Sequence, residues 1–162
     1  MLCESPLGTL SAEESCEWER SMIPRPPLHR ITRTADFHLI DGSGTIFVAR
    51  AFELAHACLV EFLATQQLGL ERMLRSEVAP MPIVQAQCDF HAPLRAGETV
   101  GVELRCEKVG DTSITLEFTA RVDGAPRFTV RQVHVTIDPT TGRPITVPDA
   151  IRQAFASPRA TV

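Results

Sequence analysis

The feature that most constrains this chain is a long segment, residues 47 to about 65, that is apolar on almost every side of a predicted helix. Such a helix has to be covered on all sides to keep its side chains from water. It is not a predicted membrane span, because it is short and its apolar run is interrupted by charged residues and a histidine. These interruptions are Arg50, Glu53, His56 and Glu61. The segment therefore predicts a central helix with other elements wrapped around it.

Strand and turn patterns surround this helix. Residues 31–40 predict a first strand, and "DGSG" at residues 41–44 predicts a glycine-containing turn ahead of the helix. After the helix, residues 68–80 predict a shorter helix or an irregular connection that ends at prolines. The first half of the chain is thus predicted to run strand, turn, long helix.

The second half of the chain predicts four antiparallel strands joined by short turns. The third strand of the chain alternates apolar and polar residues, which is the period of a half-buried strand. Its inward positions are Val100, Val102, Leu104 and Cys106. Asp123-Gly124 is typical of a hairpin, and Pro148-Asp149 of the start of a short C-terminal helix.

This order of elements predicts an α+β fold, a curved antiparallel sheet wrapped around one long central helix. One sheet edge and parts of the helix stay uncovered in that arrangement. An uncovered edge strand favours pairing with another chain, so the pattern predicts an oligomer. Residues 1–28 lack a sustained apolar period and predict a poorly ordered extension, and residues 29–162 predict one domain.

Composition narrows the classes of function. The 162 residues carry a net charge of −4 and no cationic tail, which makes general nucleic-acid binding an unlikely role. The N-terminus lacks a signal-peptide pattern, and no membrane partner is expected. Five scattered cysteines without a CxxC spacing predict neither a zinc site nor a disulfide framework, and favour the reducing cytoplasm. They are Cys3, Cys16, Cys58, Cys88 and Cys106.

Three segments resemble a known family. The order of elements resembles the hot-dog fold, and "DGSGTIFVARAFELAHACLVEFL" at residues 41–63 resembles the signature of the 4-hydroxybenzoyl-CoA thioesterase family. Asp41, Gly44 and Phe47 fit its acidic, glycine and aromatic positions. Residues 82–118 resemble the family's second to fourth strands, and residues 133–155 its last strand and tail, closest to the subgroup acting on 1,4-dihydroxy-2-naphthoyl-CoA.

The resemblance implies an acyl-CoA thioesterase that hydrolyses an aromatic or bulky acyl-CoA to free acid and CoA. It implies Asp41 as the catalytic carboxylate, acting as a nucleophile or as the base that activates water. The backbone N–H of Val48 would be the oxyanion donor, and Gly44, Thr45 and Phe47 would contact the substrate. It further implies a homodimer or homotetramer with active sites at subunit interfaces, and no metal or redox cofactor.

The chain departs from the family pattern at three positions. Leu39 stands where many members have a second acidic residue, Ser43 where alanine is frequent, and Thr45 where an aliphatic residue is usual. Two alternatives therefore stay open. One is a hot-dog thioesterase that releases acyl or polyketide groups from a carrier protein, or a hydratase. The other is a non-catalytic acyl-CoA-binding protein.

Elementary physical chemistry supports a role for Asp41 beside a helix start. The first N–H groups of a helix lack intrahelical partners and carry partial positive charge, which favours an ionised carboxylate. The same groups can stabilise the oxygen of a thioester carbonyl as negative charge develops. The competing interpretation is that Asp41 is a simple helix N-cap.

Other polar residues have weaker claims. Glu53 and His56 lie one turn apart on the helix, but Arg50 is placed to pair with Glu53, which favours a solvated or interface stripe. His91 and His134 show no metal-ligand spacing. Coenzyme A carries phosphates, so basic residues are expected at the pocket mouth, with Arg95 as the first candidate. Weaker candidates are Arg127, Arg131 and Arg143.

An aromatic pocket has few residues to draw on. The chain has no tyrosine and a single tryptophan, which lies in the N-terminal extension. We therefore expect an aryl pocket built from Phe47 and aliphatic residues such as Val84.

Overall fold

The computed structural model describes residues 26–156. Residues 1–25, which make up most of the predicted extension, and residues 157–162 lie outside the described part. The elements in chain order are β1 (His29–Thr34), a 3₁₀ turn (Phe37–Leu39), α1 (Val48–Thr65), α2 (Leu70–Leu74), β2 (Ile83–Phe90), β3 (Thr99–Val109), β4 (Ser113–Val122), β5 (Ala125–Val135) and α3 (Asp149–Ala156).

The five strands form one antiparallel sheet in the order β1-β3-β4-β5-β2. The expected hairpin between β4 and β5 is present, and both Asp123 and Gly124 have positive φ, 49° and 80°. A two-residue turn with two positive φ angles suits the right-handed twist of the strands it joins. The predicted fold class is therefore confirmed, with β1 and β2 as the two edges.

One face of α1 supplies the core that the sheet covers. Its buried residues recur at helical spacing and are Ala51, Leu54, Ala55, Cys58, Leu59, Phe62 and Leu63. Facing them, Val100, Val102 and Leu104 of β3 are fully buried, as the alternation predicted. α3 closes the core with Phe155, whose ring centroid lies 5.1 Å from that of Phe62. Truncating Phe62 to alanine would cost roughly 3–5 kcal/mol of stability.

The opposite face of α1 is not covered by the described residues. Val48, Glu53 and His56 are exposed, and Phe52 and Val60 are half-buried. This face lies along the outer edge of the fold beside β2, where Ile83 and Phe90 are also exposed. The prediction of a helix that needs cover on all sides thus holds for one face, and the second face is left for a partner or a ligand.

The first predicted strand is too long at its C-terminal end. β1 ends at Thr34, and residues 37–39 form a 3₁₀ turn instead. Ala35 N–H still donates to Glu98 O beside β3, and the chain then turns away from the sheet edge, where Leu39 N–H donates to Asp36 O and Ile40 N–H to Phe37 O. Ile40 then makes an isolated bridge with Ile46, which closes the loop that carries Asp41. Among residues 26–156, no helix is long and apolar enough to cross a membrane.

Candidate active site

A cleft of about 500 Å³ opens at the start of α1. One wall is the loop before the helix, and the other is the end of β2 with the residues after it. The lining residues are Asp41, Thr45, Ile46, Phe47, Val48, Phe90, His91, Ala92 and Pro93. Four of the residues that the sequence predicts for the site, Asp41, Thr45, Phe47 and Val48, therefore meet in one cleft, and Gly44 shapes the loop between them.

The first turn of α1 presents free backbone donors to this cleft. Phe47 is the N-cap residue and makes no side-chain capping bond. Arg50 N–H donates to Phe47 O, but within residues 26–156 no acceptor faces the N–H of Val48 or Ala49. Uncapped N–H groups at a helix start carry partial positive charge and suit an anion or a developing oxyanion.

Asp41 is held by its own loop. Its Oδ1 accepts hydrogen bonds from the backbone N–H of Ser43 at 2.7 Å and from the Ser43 hydroxyl at 2.5 Å. The Ser43 hydroxyl also lies 3.1 Å from the Thr45 hydroxyl. The turn is closed by Gly44 N–H donating to Asp41 O, and Gly44 adopts φ +78°, which a glycine tolerates without strain.

These contacts set the charge state of Asp41. The Ser43 hydroxyl, followed by the Ser43 N–H, lowers the pKa of the Asp41 carboxyl below its ordinary value. Hydrogen bonds donated to a carboxylate favour its ionised form. The side chain is exposed, so Asp41 is an anion in water at neutral pH. Its second oxygen, Oδ2, accepts no hydrogen bond from the residues that the structure describes.

The N-cap interpretation of Asp41 is wrong. The carboxylate bonds to Ser43 rather than to the N–H groups of α1, and the helix begins seven residues later with Phe47 as its cap. The expectation that helix N–H groups would hold the carboxylate is corrected with it, because Ser43 takes that role. The helix start and Asp41 share the cleft, and within residues 26–156 the Val48 N–H and Asp41 Oδ2 have no hydrogen-bond partner.

The opposite wall corrects the predicted aryl pocket. Val84 lies outside the cleft and is 61% exposed, as are almost all residues of the edge strand β2. It also falls at the shift in β2–β5 register between Ile83 and Gln85 and has no partner in that pairing. Phe90 takes the aromatic position instead, with its ring 6.2 Å from that of Phe128. His91, whose Nε2 is 2.9 Å from the Thr129 hydroxyl, also lines the cleft. Sequence alone missed both residues, although antiparallel pairing would bring the end of β2 to the start of α1.

The rival carboxylate on α1 is neutralised. Arg50 donates a hydrogen bond to Glu53 Oε1, as the spacing predicted, and this contact is the main reason that the pKa of Glu53 is lowered. Glu61 pairs with Arg33 of β1. His56 lies outside the Asp41 cleft and lines two other crevices along α1. The stripe interpretation of these residues agrees with the contacts.

Two of the candidate CoA-binding arginines already form ion pairs with glutamates. Arg127 pairs with Glu98 at 2.9 Å, and Arg131 pairs with Glu107 at 2.7 Å. Arg95 is exposed, and its guanidinium has no acceptor within residues 26–156, although its backbone N–H donates to Glu98. It lies two residues beyond Pro93 and outside the cleft lining. Arg143 also keeps an unpaired side chain with respect to that part of the chain.

A second crevice, of about 440 Å³, lies toward the other end of α1. It is almost wholly apolar and contains the buried His134, whose Nδ1–H donates to Met81 O at 3.0 Å. Its Nε2 lies 3.1 Å from the side-chain amide of Gln132. Burial lowers the pKa of His134, so the ring is neutral at neutral pH.

The described cysteines do not supply a rival nucleophile. Burial raises the pKa of the Cys58 thiol to about 12, and those of Cys88 and Cys106 to about 11. A thiol with so high a pKa carries almost no thiolate at neutral pH. Within residues 26–156 no group of three or more His, Cys, Asp or Glu side chains is placed to hold a metal ion. Asp41 is the one carboxylate among the residues that line the cleft.

Comparison with known proteins agrees with this geometry. The model of the thioesterase-like superfamily matches residues 36–155. A 1,4-dihydroxy-2-naphthoyl-CoA hydrolase from Prochlorococcus marinus (strain NATL1A) is 28% identical over 119 residues, which cover 68% of this chain and 79% of that protein.

Solved structures agree as well. A 1,4-dihydroxy-2-naphthoyl-CoA thioesterase from Synechocystis aligns with a TM-score of 0.73 at 18% identity, over 79% of this chain and 95% of that one. A gentisyl-coenzyme A thioesterase aligns with a TM-score of 0.68 at 23% identity, over 79% and 99% of the two chains. Likeness at this identity shows a shared fold.

The chain belongs to the thioesterase-like superfamily, because that family's model covers residues 36–155, which include strands β2 to β5, the central helix and the Asp41 loop. The hot-dog fold expected from the order of elements is confirmed. The expectation of a thioester-hydrolase class of enzyme is confirmed at the level of the family.

Proposed function

We propose that the protein hydrolyses an aromatic acyl-CoA thioester to the free acid and CoA, with Asp41 as its catalytic carboxylate. One observation carries this proposal: an ionised carboxylate with a free oxygen and a helix start with free N–H groups line the same cleft. The names of the relatives, which act on 1,4-dihydroxy-2-naphthoyl-CoA or gentisyl-CoA, support an aromatic acyl group.

The chemistry assigns one task to each wall feature. The thioester oxygen accepts a hydrogen bond from the Val48 N–H, which stabilises the negative charge that develops when the carbonyl is attacked. The C–S bond then breaks and the CoA thiolate leaves. Phe47 and Phe90 supply aromatic surface on both sides of the cleft for an acyl ring.

Two routes deliver the attacking oxygen. In one, Asp41 Oδ2 attacks the carbonyl carbon and forms a mixed anhydride, which water then hydrolyses. In the other, Oδ2 takes a proton from water as that water attacks. Both routes need an ionised Asp41 and the same oxyanion donor, so the same variants test either one.

Coenzyme A would extend from the cleft toward Arg95. Its phosphates need a cation that is not already paired, and Arg95 meets that condition among the arginines near the cleft. Arg127 is unsuited because Glu98 already neutralises it.

We further propose that two copies assemble through β2 and the exposed face of α1, as a homodimer or as a homotetramer of two such dimers. β2 is an edge strand with exposed Ile83, Val84 and Phe90, and an edge of this composition favours pairing with another strand. Such pairing would place a partner beside the cleft.

The free thiols of Cys58, Cys88 and Cys106 suit a cytoplasmic location.

The assembly is tested by sedimentation of the full chain and of Val84→Lys. A parent dimer or tetramer that shifts toward monomer in the variant supports pairing through β2. A parent that sediments as a monomer at micromolar concentration refutes it. If Val84→Lys keeps the parent's assembly, the interface lies on another surface of the chain.

The function is tested by thiol release from a panel of thioesters. The panel contains hydroxynaphthoyl-CoA, hydroxybenzoyl-CoA, aliphatic acyl-CoA and acyl groups on a carrier protein, offered to the parent, Asp41→Asn and Asp36→Asn. Asp36 is an exposed carboxylate on the same connection that does not line the cleft, so it is the matched control. We expect aryl-CoA to be cleaved best, Asp41→Asn to lose roughly 10³-fold and Asp36→Asn to match the parent.

One observation favours the alternative of a protein that binds acyl-CoA without hydrolysing it. Asp41 is exposed and makes no hydrogen bond to the helix start. If the parent binds aryl-CoA but releases no thiol from any substrate, the binding function replaces the enzyme. Preference for the carrier-linked substrates would instead favour the polyketide or acyl-carrier alternative.

A further inference from the structure

A chain of hydroxyl groups ends on the catalytic candidate. Thr45 Oγ1, Ser43 Oγ and Asp41 Oδ1 follow one another at 3.1 Å and 2.5 Å. Every member belongs to the loop between residues 41 and 45, and both ends line the cleft. Hydroxyl groups beside a carboxylate often face solvent, but here each one is bonded to the next.

The direction of this chain follows from the donors available. An ionised carboxylate only accepts hydrogen bonds, so the single Ser43 hydroxyl proton points at Asp41 Oδ1. Ser43 Oγ then has only lone pairs to offer Thr45, and the Thr45 hydroxyl has to be the donor of the second bond. The order is Thr45 O–H to Ser43 O–H to Asp41.

We propose that Ser43 is a positioning residue for Asp41, and that the directed Thr45–Ser43–Asp41 relay fixes Oδ1 and presents Oδ2 as the reacting atom. The proposal rests on the function proposed for Asp41. Two donors from Ser43, its N–H and its hydroxyl, meet one carboxylate oxygen and limit rotation of the carboxyl group. Oδ2 receives no such bond from the described residues and stays available to substrate or water.

The relay has a consequence for the pH range of activity. Hydrogen bonds donated to Oδ1 favour the carboxylate anion over the protonated acid, because the acid has no negative charge for these donors to stabilise. The sign is that of a depressed carboxyl pKa: Asp41 stays ionised to lower pH, and activity is lost as pH falls through its pKa. Removing the Ser43 hydroxyl therefore moves the acid limb of the rate profile to higher pH.

The test compares pH–rate profiles of the parent, Ser43→Ala, Ser43→Thr, Thr45→Val and the double variant Ser43→Ala/Thr45→Val. We expect Ser43→Ala to move the acid limb of kcat to higher pH and to lower the plateau kcat about fivefold, the loss of one orienting hydrogen bond. KM should stay within about twofold, because Ser43 does not line the cleft. Ser43→Thr keeps a hydroxyl and should restore both the limb and the plateau.

Thr45 gives the test that separates a relay from simple loop damage. The Thr45 hydroxyl acts on Asp41 through Ser43, so Thr45→Val should move the acid limb in the same direction but less. Added to Ser43→Ala, it should move the acid limb no further, whatever it does to KM as a cleft residue. Additive shifts in the double variant, or an unmoved limb in Ser43→Ala, overturn the relay.

A second measurement does not depend on turnover. The carboxyl carbon of Asp41, followed by NMR during an acid titration, should titrate at higher pH in Ser43→Ala than in the parent. Equal titration of the two proteins refutes the relay even if no thioester is cleaved. If Asp41→Asn stays fully active while the NMR shift is seen, the catalytic role of Asp41 fails and the relay itself stands.

Discussion

Polar groups around the cleft and charged groups along α1 differ in how their hydrogen bonding and charge are satisfied. Along α1, Glu53 is neutralised by Arg50, and Glu61 by Arg33 of β1. Around the cleft, Asp41 has a free oxygen, Val48 a free N–H and Arg95 a free guanidinium with respect to residues 26–156.

The two carboxylates also differ in what lowers their pKa. Glu53 is held by a cation that cancels its charge, so a substrate would meet a neutral pair. Asp41 is held by neutral donors, which leave its full charge and one oxygen in the cleft. The proposed function needs groups whose hydrogen bonding is incomplete, and within residues 26–156 the cleft brings Asp41 Oδ2 and the Val48 N–H together.

The largest expected effect is the loss of Asp41, tested with and without the release of Glu53 from its ion pair. Asp41→Asn should lower kcat roughly 10³-fold, and adding Arg50→Gln, which frees Glu53 from its cation, should recover nothing. Steady-state thiol release from an aryl-CoA measures both. A tenfold or greater recovery in the double variant would show that Glu53 is competent once released and that the comparison is mistaken.

The free N–H of Val48 can be removed with little change to the helix. Proline is tolerated at the first helical position, and Phe47 already has φ −68° and ψ 136°, the extended conformation that a residue before proline adopts. Val48→Pro should lower kcat roughly 10²-fold, as loss of an oxyanion donor does.

Val48→Ala keeps the N–H and is the matched control, expected within about threefold of the parent. Circular dichroism and the melting temperature establish that both variants fold. Equal activities of the proline and alanine variants would remove Val48 from the oxyanion site.

The unpaired Arg95 should matter for the phosphates of coenzyme A. Arg95→Ala is expected to raise KM for an acyl-CoA roughly fivefold, and to leave KM unchanged for the same acyl group on N-acetylcysteamine, which has no phosphates. Arg131→Ala, which removes a paired cation on the sheet, is the control. An equal rise in KM for both substrates would mean that Arg95 supports the conformation of its own loop rather than binding the phosphates of coenzyme A.

The smallest effect is expected on the exposed face. Glu53→Gln removes half of an exposed ion pair, and such pairs contribute little to stability. Activity should stay within about twofold of the parent and the melting temperature within about 1 °C. A loss beyond tenfold at an unchanged melting temperature would give Glu53 a chemical role.

The fold was predictable because its signals are local and repeated. The helical period of α1, the alternation along β3 and the Asp123-Gly124 hairpin each act within a few residues of sequence, and all three are present. Asp41, Phe47 and Val48 were predicted together because residues 41–63 resemble the family signature, and all three line the cleft.

The rest of the site depends on register and on side-chain direction. Val84 falls at a one-residue shift in β2 and lies outside the cleft, whereas Phe90 and His91 at the end of β2 line it. Nothing local in the sequence marks that shift. The hydrogen bonds from Ser43 to Asp41 were likewise not predictable, because the same residues could have capped α1 had the loop been shorter.

The buried His134, far from the cleft, links the stability of the fold to pH. Met81 O can only accept, so the one proton of the neutral ring sits on Nδ1. Burial lowers the pKa of the native ring, so the unfolded chain binds a proton at a pH at which the native state stays neutral. Below its ordinary pKa of 6.5, acidification therefore draws the chain toward the unfolded state through this residue, whatever happens at the cleft.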